Sequence, residues 1–232
     1  KPRQDVNGSG LHLHMRLLKN GRNVFTGENG ELSTDGEAFL AGILGHVVGM
    51  TAVFNPLVNS YKRLVPGYEA PIYIAWSVTN RSPLIRIPVT RGEGTRVELR
   101  CPDSAANPYL TLAVCLQAGL DGIRNQIEPP AAVTENVFEM RMSQKNKLGI
   151  EELPADLGEA LAEFEKDEYL QNVLGRHATE KYIEAKNRNG QIIVRRFPIG
   201  RSIITCIKSD IGMKGKRFDK HYRCISETGY CA

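Results

Sequence analysis

No Cys-x-x-Cys pair occurs in this sequence, which speaks against a structural zinc site. No apolar stretch approaches the ~20 residues that a bilayer span requires, so a membrane protein is not expected. The N-terminal Lys1-Pro2-Arg3-Gln4-Asp5 lacks the apolar core of a secretory signal. There is no initiator Met, the expectation for a fragment of a longer chain, and no internal repeat is visible. What remains is ordinary: 232 residues, 41% hydrophobic and 24% charged, enough for one globular domain or two small ones. Cys101 and Cys115 sit in apolar runs and are expected to be buried and reduced, as in the cytoplasm.

The formal net charge of +4 conceals an asymmetry. Residues 1–186 hold 20 Lys+Arg against 23 Asp+Glu, whereas residues 187–232 hold 10 against 3. The second segment also contains Cys206, Cys224 and Cys231, three of the five cysteines. A basic tail is often a nucleic-acid or membrane contact. This one has no periodic amphipathic face, so neither partner is expected.

Along the chain, Leu11 to Leu17 alternates strictly and reads as a half-buried strand. Ser33-Thr34-Asp35 is an N-cap signal. The apolar positions Phe39, Leu40, Ile43, Leu44, Val47 and Val48 then carry an amphipathic helix to about Met50. Residues 55–71 contain Asn55-Pro56 and Pro66-Gly67 and read as a long hinged loop. Strands are expected at 72–78, 84–87 and 96–101. Asn107-Pro108 opens a helix that stops near Gly122, and further helices cover about 156–165 and 176–187. Beyond Asn187 the pattern dissolves. Mixed strands and helices in this order predict an α+β fold.

Chemistry could sit in several places. On strand 96–101, Arg96, Glu98 and Arg100 share one face and Val97, Leu99 and Cys101 the other. The polar face fits a solvated surface. It also fits a phosphate and metal site, with Glu98 as a hard oxygen ligand and the arginines as clamps. His12 and His14 likewise share a strand face, as structure or as ligands, after the glycine-rich turn Asn7-Gly8-Ser9-Gly10. The loop Asn59 to Pro71 combines Lys62, Arg63, the Pro66-Gly67 hinge and Glu69. It is either a plain surface loop or a lid over a small substrate. Arg81 and Arg86 add guanidiniums near strand ends, and converging arginines suit an anionic substrate or phosphoryl transfer.

Taken in order, these segments resemble the type I glutamine synthetase family, in the variety found in low-GC Gram-positive bacteria. Asn7-Gly-Ser-Gly-Leu-His12 is similar to its ATP-binding signature, and Asn59 to Pro71 to its substrate flap. Asn80-Arg-Ser-Pro-Leu-Ile-Arg-Ile-Pro88 and Thr95-Arg-Val-Glu-Leu-Arg100 resemble its arginine and metal strands. Asp103 to Leu110 and Ala118 to Ile123 continue the match. The resemblance covers residues 1 to about 187 and implies an incomplete catalytic domain, a curved antiparallel sheet flanked by helices.

The activity implied is nitrogen assimilation by glutamate–ammonia ligation. ATP phosphorylates the γ-carboxylate of L-glutamate, and ammonia then displaces phosphate, with Mg²⁺ or Mn²⁺ as cofactor. The resemblance assigns His12 and Glu98 to the metal and Asn7 and Gly8 to the glutamate site. Arg63 and Arg81 would hold substrate and developing charge, with Arg100 beside the carboxylate. Glu69 would take a proton from ammonium and shield the acyl phosphate. His14, Arg86 and Arg96 would lie by the nucleotide. The full-length form would be a cytoplasmic homo-oligomer, a dodecamer in the family. A polyamine or other amine ligase of the same family, or a non-catalytic oligomer-interaction fragment, are the competing readings.

Four departures stand out. The family's other metal carboxylates and its small N-terminal domain would precede Lys1, so this polypeptide alone is expected to be inactive. Arg16 replaces the usual Ser, and Phe138 replaces the Tyr that enterobacterial-type enzymes adenylylate. Residues 188–232 match nothing in the family.

That last segment reads as frameshifted. If each codon takes the last base of one codon and the first two of the next, Asn189 and Gly190 permit Trp. Residues 190–203 permit Ala-Asp-Tyr-Ser-Thr-Gln-Val-Ser-Asp-Trp-Glu-Ile-Asp, and Ser209-Asp210 permit a stop. This resembles the family's C-terminal helix, and it accounts for the jump in charge and the cysteine cluster. The tail is then expected to be poorly ordered. Sequencing the gene should show codons 188–210 spelling that peptide in the shifted frame; codons that do not spell it overturn the frameshift.

Overall fold

Ser33 opens the longest buried helix by an ordinary capping device. Its hydroxyl accepts from Gly36 N at 3.1 Å, and Asp35 and Glu37 lie in the first turn, where acidic groups complement the helix dipole. The helix, α1 (Thr34–Phe54), ends at Asn55 because Pro56 disfavours a helical conformation before it. The computed structural model describes residues 6–78 and 80–196, together with 224–225 and 230–231.

An amphipathic helix to about Met50 was the expectation for α1, yet 15 of its 21 residues are buried. It is also long and apolar enough to cross a membrane by length and composition, which corrects the reading that no stretch approaches that length. Most of its apolar window lies inside the protein instead.

The partner that covers it most closely is α2 (Pro108–Asn125). Asn107 caps α2, its side chain accepting from Tyr109 N and Leu110 N, with Pro108 in the first turn. The two helices meet at glycines. A Cβ on Gly42 would lie 2.1 Å from Ala118 O, and one on Gly122 would lie 2.0 Å from Ala38 O. Only glycine permits that approach of two backbones.

One layer beyond lies a four-stranded sheet in the order β1-β6-β5-β4, from β1 (Leu13–Met15), β4 (Trp76–Ser77), β5 (Ile85–Arg86) and β6 (Val97–Leu99). β6 runs antiparallel to both its neighbours. β4 and β5 are parallel, which departs from the all-antiparallel sheet expected. The register sets Leu13 and Ile85 against Leu99, facing the core, and His14 and Arg86 against Glu98 on the opposite face. A small ribbon, β2 (Leu18–Lys19) with β3 (Arg22–Asn23), turns through Asn20-Gly21, where both residues have positive φ. The rest of the expected strand 72–78 lies outside the sheet. Its Ile74 N donates to Glu151 O and its Ile72 O accepts from Leu153 N, each at 2.8 Å.

The C-terminal helices close the other side. α3 (Met142–Lys147) and α5 (Glu168–Leu174) carried no sequence signal. α4 (Leu157–Lys166) buries Leu157, Ala160, Leu161 and Phe164 at helical spacing. α6 (Arg176–Arg196) runs past Asn187, where a break was expected. Ion pairs Arg176–Glu180, Lys181–Glu184 and Glu184–Arg188 line its exposed face, and Tyr182 donates to Ala52 O at 2.9 Å. Within the basic tail, β7 (Cys224–Ile225) pairs antiparallel with β8 (Tyr230–Cys231). The expectation of a poorly ordered tail otherwise falls outside the described residues. Cys101 and Cys115 are buried free thiols, as expected.

His46 ties α1 to two other helices. Its Nδ1 lies 2.7 Å from Asp167 at the start of α5, its Nε2 lies 3.4 Å from Asp121 of α2, and its ring stacks on Tyr169. Bridging two carboxylates takes two N–H donors, hence the imidazolium. The hydrogen bond to Asp167 raises the His46 pKa against the opposing effect of burial. Burial would raise the Asp167 carboxyl, but its hydrogen bond with His46 carries it below its ordinary value. A raised histidine pKa stabilises fully below its unfolded value near 6.5 and loses that stabilisation as pH rises through the folded value. His46→Gln should therefore cost on the order of 1 kcal/mol in urea unfolding at pH 6, the scale of a charged hydrogen bond. The deficit should shrink steadily toward pH 8.5; a deficit independent of pH would mean the imidazole acts by packing alone.

Candidate active site

Glu98 is the centre of the polar sheet face and is only 2% exposed. It arrives there by alternation: Val97 and Leu99 enter the core and their middle neighbour must point the other way. A carboxylate so placed needs counter-charge. Arg86 supplies Nε and Nη2 at 2.6 Å from Oε2, His12 Nδ1 lies 3.1 Å from Oε1, and Arg100 Nε stands 3.8 Å away. Burial would push the Glu98 carboxyl up; the hydrogen bond and charge of Arg86, with His14 and Arg100, outweigh it and hold the group below its usual range. His12 shifts down, chiefly through burial and then the charge of Arg100, with Glu98 opposing. Its neutral form is favoured, leaving a nitrogen lone pair.

Beside this pair the glycine-rich turn and the flap enclose a recess. Asn7, Gly8, His12, Arg63, Glu69 and Arg100 all line it. It shares Asn7, His12, Glu69 and Arg100 with a larger cavity of about 880 Å³, which Arg81 also lines. Gly67, with φ of 85°, turns the flap between Pro66 and Tyr68. The expected glutamate and catalytic residues are thus brought together: one flap carboxylate among three guanidiniums and a histidine.

The arginines are not equivalent. Arg63 is buried, its Nη2 donating to the carbonyls of Cys101 and Pro102, the latter at 2.6 Å. Its Nη1 lies beside Gly10, where a Cβ would come within 3.3 Å of it. Arg100 is buried and donates to the Arg81 carbonyl. The Arg81 side chain is exposed. Burial lowers the pKa of both Arg63 and Arg100, although arginine stays charged at any ordinary pH. Such an array suits recognition of carboxylate or phosphate.

His14, Arg86 and Arg96 share the polar sheet face but line neither cavity. Arg96 Nε donates to His14 Nδ1 at 3.2 Å, and Arg86 is committed to Glu98. Sequence reasoning missed Asn80, Ser82, Thr134 and Asn136 as lining residues of the larger cavity. Asn80 and Ser82 flank Arg81 and were findable. Thr134 and Asn136 come from a loop some fifty residues downstream and carried no local signal. Phe138, at the same wall, packs edge-on against Tyr73 at 5.7 Å.

His12 and Glu98 do not by themselves make a divalent-ion site. Among the described residues no group of three or more His, Cys, Asp or Glu could hold a metal. Mg²⁺ and Mn²⁺ take about six mostly oxygen ligands, more than this pair supplies.

Comparison with known proteins fits this geometry. Residues 1–196 match the family model described as glutamine synthetase, catalytic domain. A glutamine synthetase of Clostridium saccharobutylicum is 53% identical over 188 residues, 80% of this chain and 42% of that protein. One from Pyrococcus abyssi is 52% identical over 188 residues, 81% of this chain and 42% of its own length. The chain thus spans less than half the length of these relatives. A solved structure titled as a GmaS/ADP complex superposes with a TM-score of 0.74 at 35% identity, over 87% of this chain and 48% of that one.

Removing Glu98 should expose how much the cation cluster depends on it. Breaking a buried pair by deleting one partner costs about 3–5 kcal/mol, because the remaining charge is left uncompensated. Glu98→Ala should lower unfolding stability by about 3 kcal/mol in urea, the low end of that range since Arg86 can reach solvent. Glu98→Gln, which keeps an acceptor for Arg86, should lose less. A loss below about 1 kcal/mol for Glu98→Ala, the scale of a solvated surface pair, would mean the carboxylate is solvated.

Proposed function

This chain belongs to the glutamine synthetase catalytic-domain family, and on that premise we propose that it forms part of a glutamate–ammonia ligase. The observation that carries the proposal is the flap carboxylate Glu69, which with Arg100 lines both cavities, beside Arg63 in the smaller and Arg81 in the larger. A γ-carboxylate oxygen of L-glutamate attacks the terminal phosphorus of ATP, ADP leaves, and γ-glutamyl phosphate forms. Ammonia then attacks the acyl carbon, phosphate departs with the bonding pair, and the amide of glutamine results.

The arginines serve both halves of this sequence. Phosphoryl transfer needs fixed cations where charge accumulates more than it needs covalent help. Arg63 and Arg100 are buried and braced, so they provide charge that does not reorganise. Arg81 has the freedom to follow the moving phosphoryl group. Glu69 takes the proton as ammonium becomes ammonia, and the flap keeps water from the acyl phosphate. Asn7 and Gly8 contact glutamate. His14 and Arg96 lie toward the nucleotide, with Arg86 reaching it only indirectly through Glu98. When bound, Mg²⁺ or Mn²⁺ would neutralise phosphate charge, and His12 and Glu98 would supply two of its ligands. The working form is a cytoplasmic homo-oligomer, a dodecamer as in the family.

A second reading is transfer to an amine instead of ammonia within the same family, in which the structure titled GmaS/ADP stands as a member and no more. The higher identity to proteins named glutamine synthetase favours ammonia.

Both readings give Glu69 the same role, and it can be tested in the full-length protein. Glu69→Ala should cut turnover by about 10²–10⁴-fold, the usual contribution of a general base, while leaving ATP affinity within twofold. Steady-state glutamine or γ-glutamyl hydroxamate formation, with ATP binding by calorimetry, measures both. Lost ATP binding with unchanged turnover per bound ATP would make Glu69 a structural residue.

A further inference from the structure

Arg81 lines the larger cavity on an exposed turn, where a long side chain would ordinarily wander. The turn beneath it is not free. Asn80 N donates to Ser77 Oγ at 3.1 Å, fixing the turn to the end of β4. Asn80 Oδ1 accepts from Ser82 N at 2.8 Å and from Ser82 Oγ at 2.9 Å, closing a side-chain bridge across Arg81. Asn80 Nδ2 donates to the Glu135 carbonyl, and Ser82 Oγ accepts from Val137 N at 3.0 Å. The Arg81 carbonyl itself accepts from Arg100.

These bonds join the Arg81 turn to the loop 130–138, which is itself anchored along β4. Trp76 Nε1 donates to Pro130 O at 2.7 Å, and Val133 N donates to Trp76 O at 2.9 Å. Val133 and Val137 are buried beside exposed Thr134 and Asn136, which face the same cavity as Arg81. The hydroxyl of Ser82 is the junction. It is buried, it donates to Asn80 and it accepts from Val137 in one network. Two of its neighbours lose a hydrogen bond if it is lost. The buried Val137 N–H would go unsatisfied, and the Asn80 amide would lose one of the bonds that orient it.

We infer that Asn80 and Ser82 are positioning residues that hold the Arg81 guanidinium over the cavity by clamping its turn to the loop 130–138. This deepens the proposed function and rests on its assignment of Arg81 to the γ-carboxylate and its phosphate. A displacement of about 1 Å in a positioned group can cost up to ~10²-fold in rate. The clamp therefore sets the efficiency with which glutamate is used through the placement of Arg81. It also makes the loop 130–138 a second determinant of that efficiency.

A double-mutant cycle in the full-length protein tests this. Ser82→Ala and Asn80→Ala should each lower kcat/KM for glutamate by about ten- to a hundredfold, with KM for ATP within twofold. Ser82→Thr, which keeps the hydroxyl, should restore most of the loss. In an Arg81→Ala background, adding Ser82→Ala should cost nothing further, because the group being positioned is already gone. An additional loss in that background, or an equal rise in KM for both substrates, overturns the positioning role and leaves Ser82 structural. If Ser82→Ala fails to fold, Asn80→Ala carries the same cycle. Arg81→Ala alone without effect on glutamate use would bring down the underlying assignment; an effect of Arg81→Ala with none from Asn80→Ala or Ser82→Ala would bring down the clamp only.

Discussion

A buried carboxylate is the constraint around which the site is arranged. Glu98 is shielded from water at the middle of the central antiparallel strand, and its charge is supportable only because two guanidiniums and an imidazole reach it from three directions. Arg86 comes from the adjacent strand β5, Arg100 from just beyond β6, and His12 from the segment before β1. Each must arrive at a fixed height and angle. The register of β1 and β5 on β6 provides this, since Arg86 and Glu98 are paired across the ladder. Sheet pairing and charge pairing therefore demand the same alignment. A one-residue slip would exchange the core face with the charged face and leave Glu98 against hydrocarbon.

The apolar side answers to a different constraint. α1 is buried on almost all sides and cannot be amphipathic, so its placement is decided by shape. Gly42 and Gly122 let α1 and α2 touch backbone to backbone, and Phe39 lies where a side chain on Gly119 would stand. That contact leaves almost no tolerance, because even a methyl group would collide with main-chain oxygen. The floor beneath the sheet is accordingly stiff. A stiff floor matters to charges whose value depends on staying in place.

Much of this was legible in the sequence where the signal was local. The caps at Ser33 and Asn107 were readable because a side chain satisfies orphan N–H groups two or three residues away. The alternation around Glu98 was readable because strand period is 2. α3 and α5, at 6 and 7 residues, are too short to display a helical period. The parallel pairing of β4 with β5 and the docking of 151–153 on 72–74 are choices of partner, which composition does not encode. The continuation of α6 past Asn187 crosses Gly190, a residue that disfavours helix interiors, so the sequence did not announce it. Within the site, residue types were readable but their commitments were not. Arg63 and Arg86 looked alike as free guanidiniums, and the structure gives one to backbone carbonyls and the other to Glu98.

Those commitments divide the cations into two kinds. Arg63, Arg86 and Arg100 are fixed by carbonyls or by Glu98, and a fixed charge lowers the energy of a transition state without reorganising. Charge that develops during a reaction also moves, and a contact that tightens only as it moves is realised in the transition state and not before. Arg81 and Glu69 sit on loops, and their side chains carry no comparable anchor among the hydrogen bonds and ion pairs described. In the proposed reaction they are the groups able to improve their contacts as bonds change. For Arg81 that freedom must be confined to the side chain, because a wandering backbone would lose more in entropy than the contact returns. A turn held at Asn80 and Ser82 beneath an unanchored guanidinium meets both requirements.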